Sequence, residues 1–171
     1  MHCAARKLLI YFDKISILIL SGNVNCPLLP SKAFLLQYVA ERGTEVLMKI
    51  SYIYHSAFLA ETTECYYLFD YYKGPLPPMN PAKPVFVLAS HSHQDHYAPC
   101  VFDQLRQLGM QNITAVLSND ISRKLYPEIC PVVRVIHSQE YTLPCHTHLQ
   151  TLLSTDSGVA FLLSCPEGVL Y

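Results

Sequence analysis

Pro84-Val85-Phe86-Val87-Leu88-Ala89-Ser90-His91-Ser92-His93-Gln94-Asp95-His96 is the stretch around which the rest of the chain is read. Val85 to Ala89 is an unbroken apolar run bounded by Pro84 in front and a polar cluster behind, which predicts a strand covered on both faces. Directly after it, four metal-ligand side chains fall within six residues. His91 and His93 are two apart, so extended backbone points both imidazoles the same way, whereas Asp95 and His96 follow once the chain turns. Two ligand pairs can then face two neighbouring ions. Imidazole nitrogen and carboxylate oxygen are what zinc, iron or manganese accept in an open catalytic site, and three histidines with an aspartate serve no packing purpose. An ordinary polar surface loop is the alternative, and the density of ligand types argues against it.

A chain of 171 residues with 51% hydrophobic and 15% charged residues is long and apolar enough for one domain with a real core, and excludes disorder. The formal net charge is -1 and Lys and Arg are scattered, so no electrostatic footprint for a nucleic acid is present. An anionic small-molecule substrate would have to be held by metal ions and a few local residues. The seven cysteines show no Cys-x-x-Cys pair and no regular spacing, which fits reduced thiols in a cytoplasm. Cys145-His146-Thr147-His148 packs three soft ligands into four positions, but on a strand His146 and His148 share a face and Cys145 takes the other.

Leu8 to Leu20 is apolar but interrupted by Asp13 and Lys14, too short and too charged to span a bilayer, with no signal-peptide cleavage site after it. Ser31 to Arg42 reads as an amphipathic helix, with Ser31 as cap, Phe34, Leu35, Tyr38 and Val39 on the apolar side and Gly43 as stop. Lys49 to Tyr54, Ala57 to Glu61 and Cys65 to Tyr71 read as three consecutive strands, hence an antiparallel meander. Four prolines between Pro75 and Pro81 then make a stiff surface loop. Tyr71, Tyr72 and Lys73 at its start either line a substrate cleft, with Lys73 as a point charge, or form the edge of the core. Beyond the histidines, Val101, Phe102, Leu105 and Leu108 recur at helical spacing until Gly109. Ile113 to Leu117 is a strand, Ser118-Asn119-Asp120 caps a short helix through Leu125, and Val132 to Ile136 is the next strand. Tyr141 to Leu143, His148 to Leu153, Val159 to Ser164 and Val169 to Tyr171 complete the strands, with Pro166-Glu167-Gly168 as a hairpin turn.

The pattern His-x-His-x-Asp-His after a buried strand resembles the metallo-β-lactamase superfamily of metal-dependent hydrolases. Met48 to Glu61 looks like the opening strand pair of that fold, in the branch of ascorbate-phosphate lactonase-like proteins, and Tyr66-Tyr67-Leu68-Phe69-Asp70 looks like the next strand. The resemblance covers residues 48 to 171. It implies an α/β fold, the N-terminal portion of an αββα sandwich in which an antiparallel meander passes into a mixed sheet with covering helices. It also implies that His91 and His93 hold one ion, that Asp95 and His96 hold a second, and that Asp95 orients a metal-activated hydroxide. Asp70 corresponds to an acidic residue that braces the metal loop by hydrogen bonds. His55, at the first turn, is either near the metal cleft or purely structural. Because the pattern begins at Met48, residues 1 to 47 are expected to be a leader or an extra helix packed on the sandwich.

Two departures from the family stand out. Members supply a further His near Ser154-Thr155-Asp156-Ser157-Gly158, where this chain has none. Asp156 is either a substitute oxygen ligand, better suited to manganese or iron than to zinc, or a turn residue before Gly158. The chain also stops at Tyr171, on an expected strand, which reads as a truncation before the remaining ligands. Two functions follow: a zinc-dependent, or Mn2+- or Fe2+-dependent, hydrolase of an ester, lactone or phosphoester bond, and a catalytically silent remnant with weak or no metal binding. Neither the substrate nor the oligomeric state is readable from the sequence.

Overall fold

The computed structural model describes the backbone of residues 7–12, 15–20, 37–42 and 45–171, and side chains from residue 48 onward. Strands β1 (Lys7–Phe12) and β2 (Ile15–Leu20) pair antiparallel in a two-stranded sheet of their own. A seven-stranded sheet follows in sequence order: β3 (Gln37–Arg42), β4 (Glu45–Tyr54), β5 (Ala57–Thr62), β6 (Tyr66–Phe69), β7 (Val85–Ala89), β8 (Ile113–Ser118) and β9 (Val132–Val135). Its pairings are antiparallel from β3 to β6 and parallel from β6 to β9. Helix α1 (Val101–Gln107) makes the crossover from β7 to β8, and a single 3-10 turn (Arg123–Leu125) lies between β8 and β9. Strands β10 (Gln139–Leu143), β11 (Thr147–Leu153), β12 (Val159–Cys165) and β13 (Gly168–Leu170) form a second sheet, antiparallel throughout.

The switch from antiparallel to parallel pairing at β6 and β7 is made by the proline-rich loop. Prolines supply no backbone donors, so the loop is anchored by side chains instead. Tyr66 Oη accepts the Asn80 N–H at 2.8 Å, and Lys83 Nζ donates to Glu61 Oε1 at 3.0 Å and to the Thr62 carbonyl at 2.8 Å. The loop thus returns to the start of β6, and β7 enters beside it in the same direction.

Period-2 alternation then divides the apolar residues between two cores. On β7, Phe86 and Leu88 face the second sheet, where they pack with Tyr67, Val116, Leu149 and Leu163. Val85, Val87 and Ala89 face the opposite side and meet Val101, Phe102 and Leu105 of α1. All five residues of β7 are buried, the signature of a parallel strand covered on both sides. The expected covered strand is therefore present at Val85–Ala89, and the architecture is a mostly-sheet α/β fold with few helices.

Several local expectations change. The helix expected over Ser31 to Arg42 is, over Gln37–Arg42, strand β3; residues 31 to 36 lie outside the described ones. The open edge of β4 explains this, because pairing Tyr38 with Ile50 and Val39 with Lys49 satisfies backbone groups that an amphipathic pattern alone does not account for. Strand β4 accordingly begins at Glu45 rather than at Lys49. The short helix is not capped by Ser118-Asn119-Asp120: Ser122 Oγ accepts from Lys124 N–H, and Ser118 still belongs to β8. No helix among the described residues is long and apolar enough to cross a membrane.

Phe86 is 1% exposed and stacks on Tyr67 with ring centroids 5.6 Å apart, between the two sheets. Phe86→Ala is expected to lower unfolding free energy by about 3–5 kcal/mol in urea titrations. A loss below about 1 kcal/mol would contradict the two-sheet core.

Candidate metal centre

Strand β7 ends at Ala89, and the chain turns outward through Ser90 to His96 at the C-terminal ends of the parallel strands, where open α/β folds place their sites. The turn brings the expected ligands into two groups rather than one row. His91 Nε2 lies 3.1 Å from His93 Nδ1, and Asp156 Oδ2 lies 3.8 Å and 3.7 Å from those two nitrogens. His96 Nε2 lies 3.9 Å from Asp95 Oδ2, which His55 Nε2 approaches to 3.0 Å. Within each group all three ligand atoms lie within 4.8 Å of one another. The His91 and His96 rings, with centroids 4.0 Å apart, place the two groups side by side.

The groups are built alike. Each has one buried imidazole, His91 or His96; His93, Asp156 and His55 are exposed and Asp95 is half-buried. Burial pushes the His91 pKa down, helped by neighbouring His96 and His93 and opposed by Asp70 and Asp156, so its ring is neutral near pH 7. For Asp95, desolvation is the largest effect and works upward. Hydrogen bonding to its own backbone amide, with His96 and His55, outweighs that effect and holds the carboxyl below the usual range.

Asp70 organises both groups. Its Oδ1 accepts the Ser90 N–H at 2.7 Å, and its Oδ2 accepts the Ser90 hydroxyl at 2.8 Å and the His96 Nδ1–H at 2.9 Å. Because the Ser90 proton is committed to Asp70, Ser90 Oγ receives the Nδ1–H of His91 at 2.9 Å. One carboxylate therefore fixes the tautomer of both buried imidazoles and leaves each Nε2 to face its group, the support that metal-bound histidines use. Asp70 has φ 43 and His55 φ 53, left-handed conformations that non-glycine residues hold only where the surroundings fix them.

Other bonds hold the loop. Asp120 Oδ2 accepts the Ser92 N–H at 3.0 Å, and Ser56 Oγ donates to the Asp95 carbonyl at 3.0 Å. The Asp156 loop is tied in by the Val159 N–H, which donates to the Ser90 carbonyl at 2.9 Å. Gly158 makes that approach feasible: with φ +66, a Cβ there would collide with the Ser90 carbonyl and lie 2.8 Å from His91 Cβ.

The chemistry of the donor set fits divalent cations. Two imidazole nitrogens and one carboxylate oxygen per group, with the far nitrogens of the buried rings already engaged, match an open zinc, iron or manganese site. A cavity of about 700 Å³ opens beside it, with Asp70, Ser90, His91, His96 and Asp156 in its wall.

The sequence expectations for His91, His93, Asp95 and His96 thus meet as two pairs, each joined by a residue whose role was open: Asp156 for the first pair and His55 for the second. Asp70 bonds as the resemblance implies. Tyr72 and Lys73 do not line the cavity; Lys73 Nζ sits 4.4 Å over the Tyr54 ring and 5.2 Å over that of Tyr72. Around Cys145, His146 turns to Glu64 and His148 to Glu140, each at 3.5 Å, and the three do not share a focus. Ser90, Asp120 and Gly158 were not assigned to the site from the sequence; Asp120 was read as a helix cap and Gly158 as a turn. Only the Asp-x-Gly spacing of the 156–158 turn hinted at one of them.

No family model and no curated protein matches the chain. Among solved structures, it is similar to a mutant of the beta-hydroxylase CmlA, at a TM-score of 0.51 and 18% identity, over 75% of this chain and 30% of that one. It is also similar to Igni18, a metallo hydrolase from the hyperthermophilic archaeon Ignicoccus hospitalis, at a TM-score of 0.47 and 19% identity, over 68% of this chain and 54% of that one. The chain spans about a third to a half of the length of these structures. The likeness to CmlA shows a metallo-β-lactamase fold.

Asp70→Asn turns one carboxylate oxygen into an NH2 donor, so the side chain can no longer accept the Ser90 N–H at one oxygen and the Ser90 hydroxyl and His96 Nδ1–H at the other. Metal affinity, measured by competition with a chromophoric chelator, is expected to fall about 10–100-fold. An unchanged affinity would remove Asp70 from its organising role.

Proposed function

We propose that this chain is a metal-dependent hydrolase that cleaves an ester, lactone or phosphoester bond of a small molecule. The observation that carries the reading is the pair of two-His, one-Asp groups set side by side on a common brace. His91, His93 and Asp156 would hold one ion and His55, Asp95 and His96 the other. Zinc suits both groups, and Mn2+ or Fe2+ would compete because each group carries a carboxylate. When bound, such cations supply an acidified water near neutral pH and a Lewis acid for the scissile oxygen.

The chain's own residues do the rest. His91 and His96 are held immobile by Asp70 and Ser90, so the ligand atoms are preorganised. Asp95, half-buried and with its carboxyl held below the usual range, would orient the attacking water. Asp156 replaces the imidazole expected from the family pattern and adds negative charge to the first group. We read the two sheets with α1 on the outer face as the N-terminal portion of an αββα sandwich. The free thiols of Cys65, Cys100, Cys130, Cys145 and Cys165 support a cytoplasmic location.

Mass-spectrometric metal analysis after dialysis against zinc, manganese or iron, combined with a panel of lactone, ester and phosphodiester substrates, tests the proposal. The expected result is about two ions per chain and turnover that His93→Ala abolishes. Less than one ion per chain with no turnover would support the silent remnant instead.

A further inference from the structure

The cavity beside the metal centre differs from the centre in chemistry. Its wall is made by Ile50, Phe58 and Phe69 of the seven-stranded sheet and by Val159, Phe161 and Leu170 of the second sheet. It therefore runs between the two sheets as a slot floored by core side chains and ends at His91 and His96. Its charged lining residues besides histidine are Asp70 and Asp156, both acidic, and among the described residues no Lys or Arg lines it. Lys73, the cation expected to meet an anionic substrate, is engaged over the Tyr54 and Tyr72 rings outside the cavity.

We propose that the cavity takes the uncharged, apolar acyl part of a carboxylic ester or lactone, with the scissile carbonyl at His91 and His96. This rests on the hydrolase reading and narrows its substrate class. Away from the ions, a phosphorylated group in the slot would meet fixed charges that are negative and walls without counter-charge, at a desolvation cost that the lining does not offset. An alkyl chain meets the opposite situation, since each buried methylene is favourable by about 0.8 kcal/mol and the volume falls in the range of small-molecule sites. Leu153 and Tyr171, 72% and 47% exposed, stand in the lining where an entering chain first makes contact. Hydrolysis balances simply: water adds across the acyl C–O bond, its oxygen going to the carbonyl carbon and a proton to the leaving alcohol, with no redox partner.

Two measurements test this. The zinc-loaded chain is assayed on p-nitrophenyl acetate, butyrate and octanoate and on bis-p-nitrophenyl phosphate. Separately, N-methyloctanamide and N-methylacetamide, neutral and not hydrolysed, are titrated calorimetrically into metal-free protein. kcat/KM is expected to rise at least about tenfold from acetate to octanoate, mainly through KM, and only the octanamide is expected to bind. Ala60 also lines the cavity, and Ala60→Phe, which places a ring in the slot, should remove both effects; should that variant fail to fold, the chain-length series and the titration decide alone. Octanamide binding without turnover of any substrate would uphold the cavity and reject the hydrolase. Flat chain-length dependence with no octanamide binding, alongside phosphodiester turnover, would reject the cavity and leave the hydrolase. A dimer in sedimentation that dissociates before the octanamide binds would assign the slot to a second copy of the chain and overturn the proposal.

Discussion

The site depends on one carboxylate serving two rings. Asp70, at the end of β6, accepts from Ser90 and His96 directly and from His91 through the Ser90 hydroxyl. Its position follows from the parallel pairing of β6 with β7, which sets Phe69 opposite Leu88 and so brings Asp70 level with Ala89, one residue short of Ser90. The backbone confirms the register, since the Asp70 N–H donates to the Leu88 carbonyl at 2.8 Å. A slip of one residue would turn Asp70 to the other face and leave both imidazoles without a partner.

The strand and the candidate ligands were legible in the sequence for separate reasons. β7 was readable because burial on both faces demands an unbroken apolar run, and His91, His93, Asp95 and His96 were readable because no packing role calls for them. What could not be read was which third residue joins each pair. His55 comes from a hairpin 40 residues away from Asp95, and Asp156 from a loop beyond four more strands; spacing along the chain carries no information about either. Tertiary closure decides both, through the Ser56 to Asp95 bond in one case and the close approach of Gly158 to Ser90 in the other.

The misread segments share a physical cause. Over Gln37 to Arg42 an apolar pattern compatible with a helix was recruited by the free edge of β4, so pairing overrode local periodicity. Asp120 carried a capping signal, yet its carboxylate turns to the Ser92 amide, because the loop after β7 offers a donor at the same place. Lys73, plausible as an anion contact by proximity in sequence, finds aromatic faces nearer than the cavity. The inner slot is different again: its apolar lining belongs to the core, and only the gap between the sheets makes it a compartment.

The central claim is that two neighbouring three-ligand groups each hold a cation. Crystals soaked in zinc and measured on both sides of the zinc absorption edge test it most directly. The account predicts two anomalous peaks about 4 Å apart, one among His91, His93 and Asp156 and the other among His55, Asp95 and His96. A map without such peaks, with those side chains turned away from one another, would contradict it.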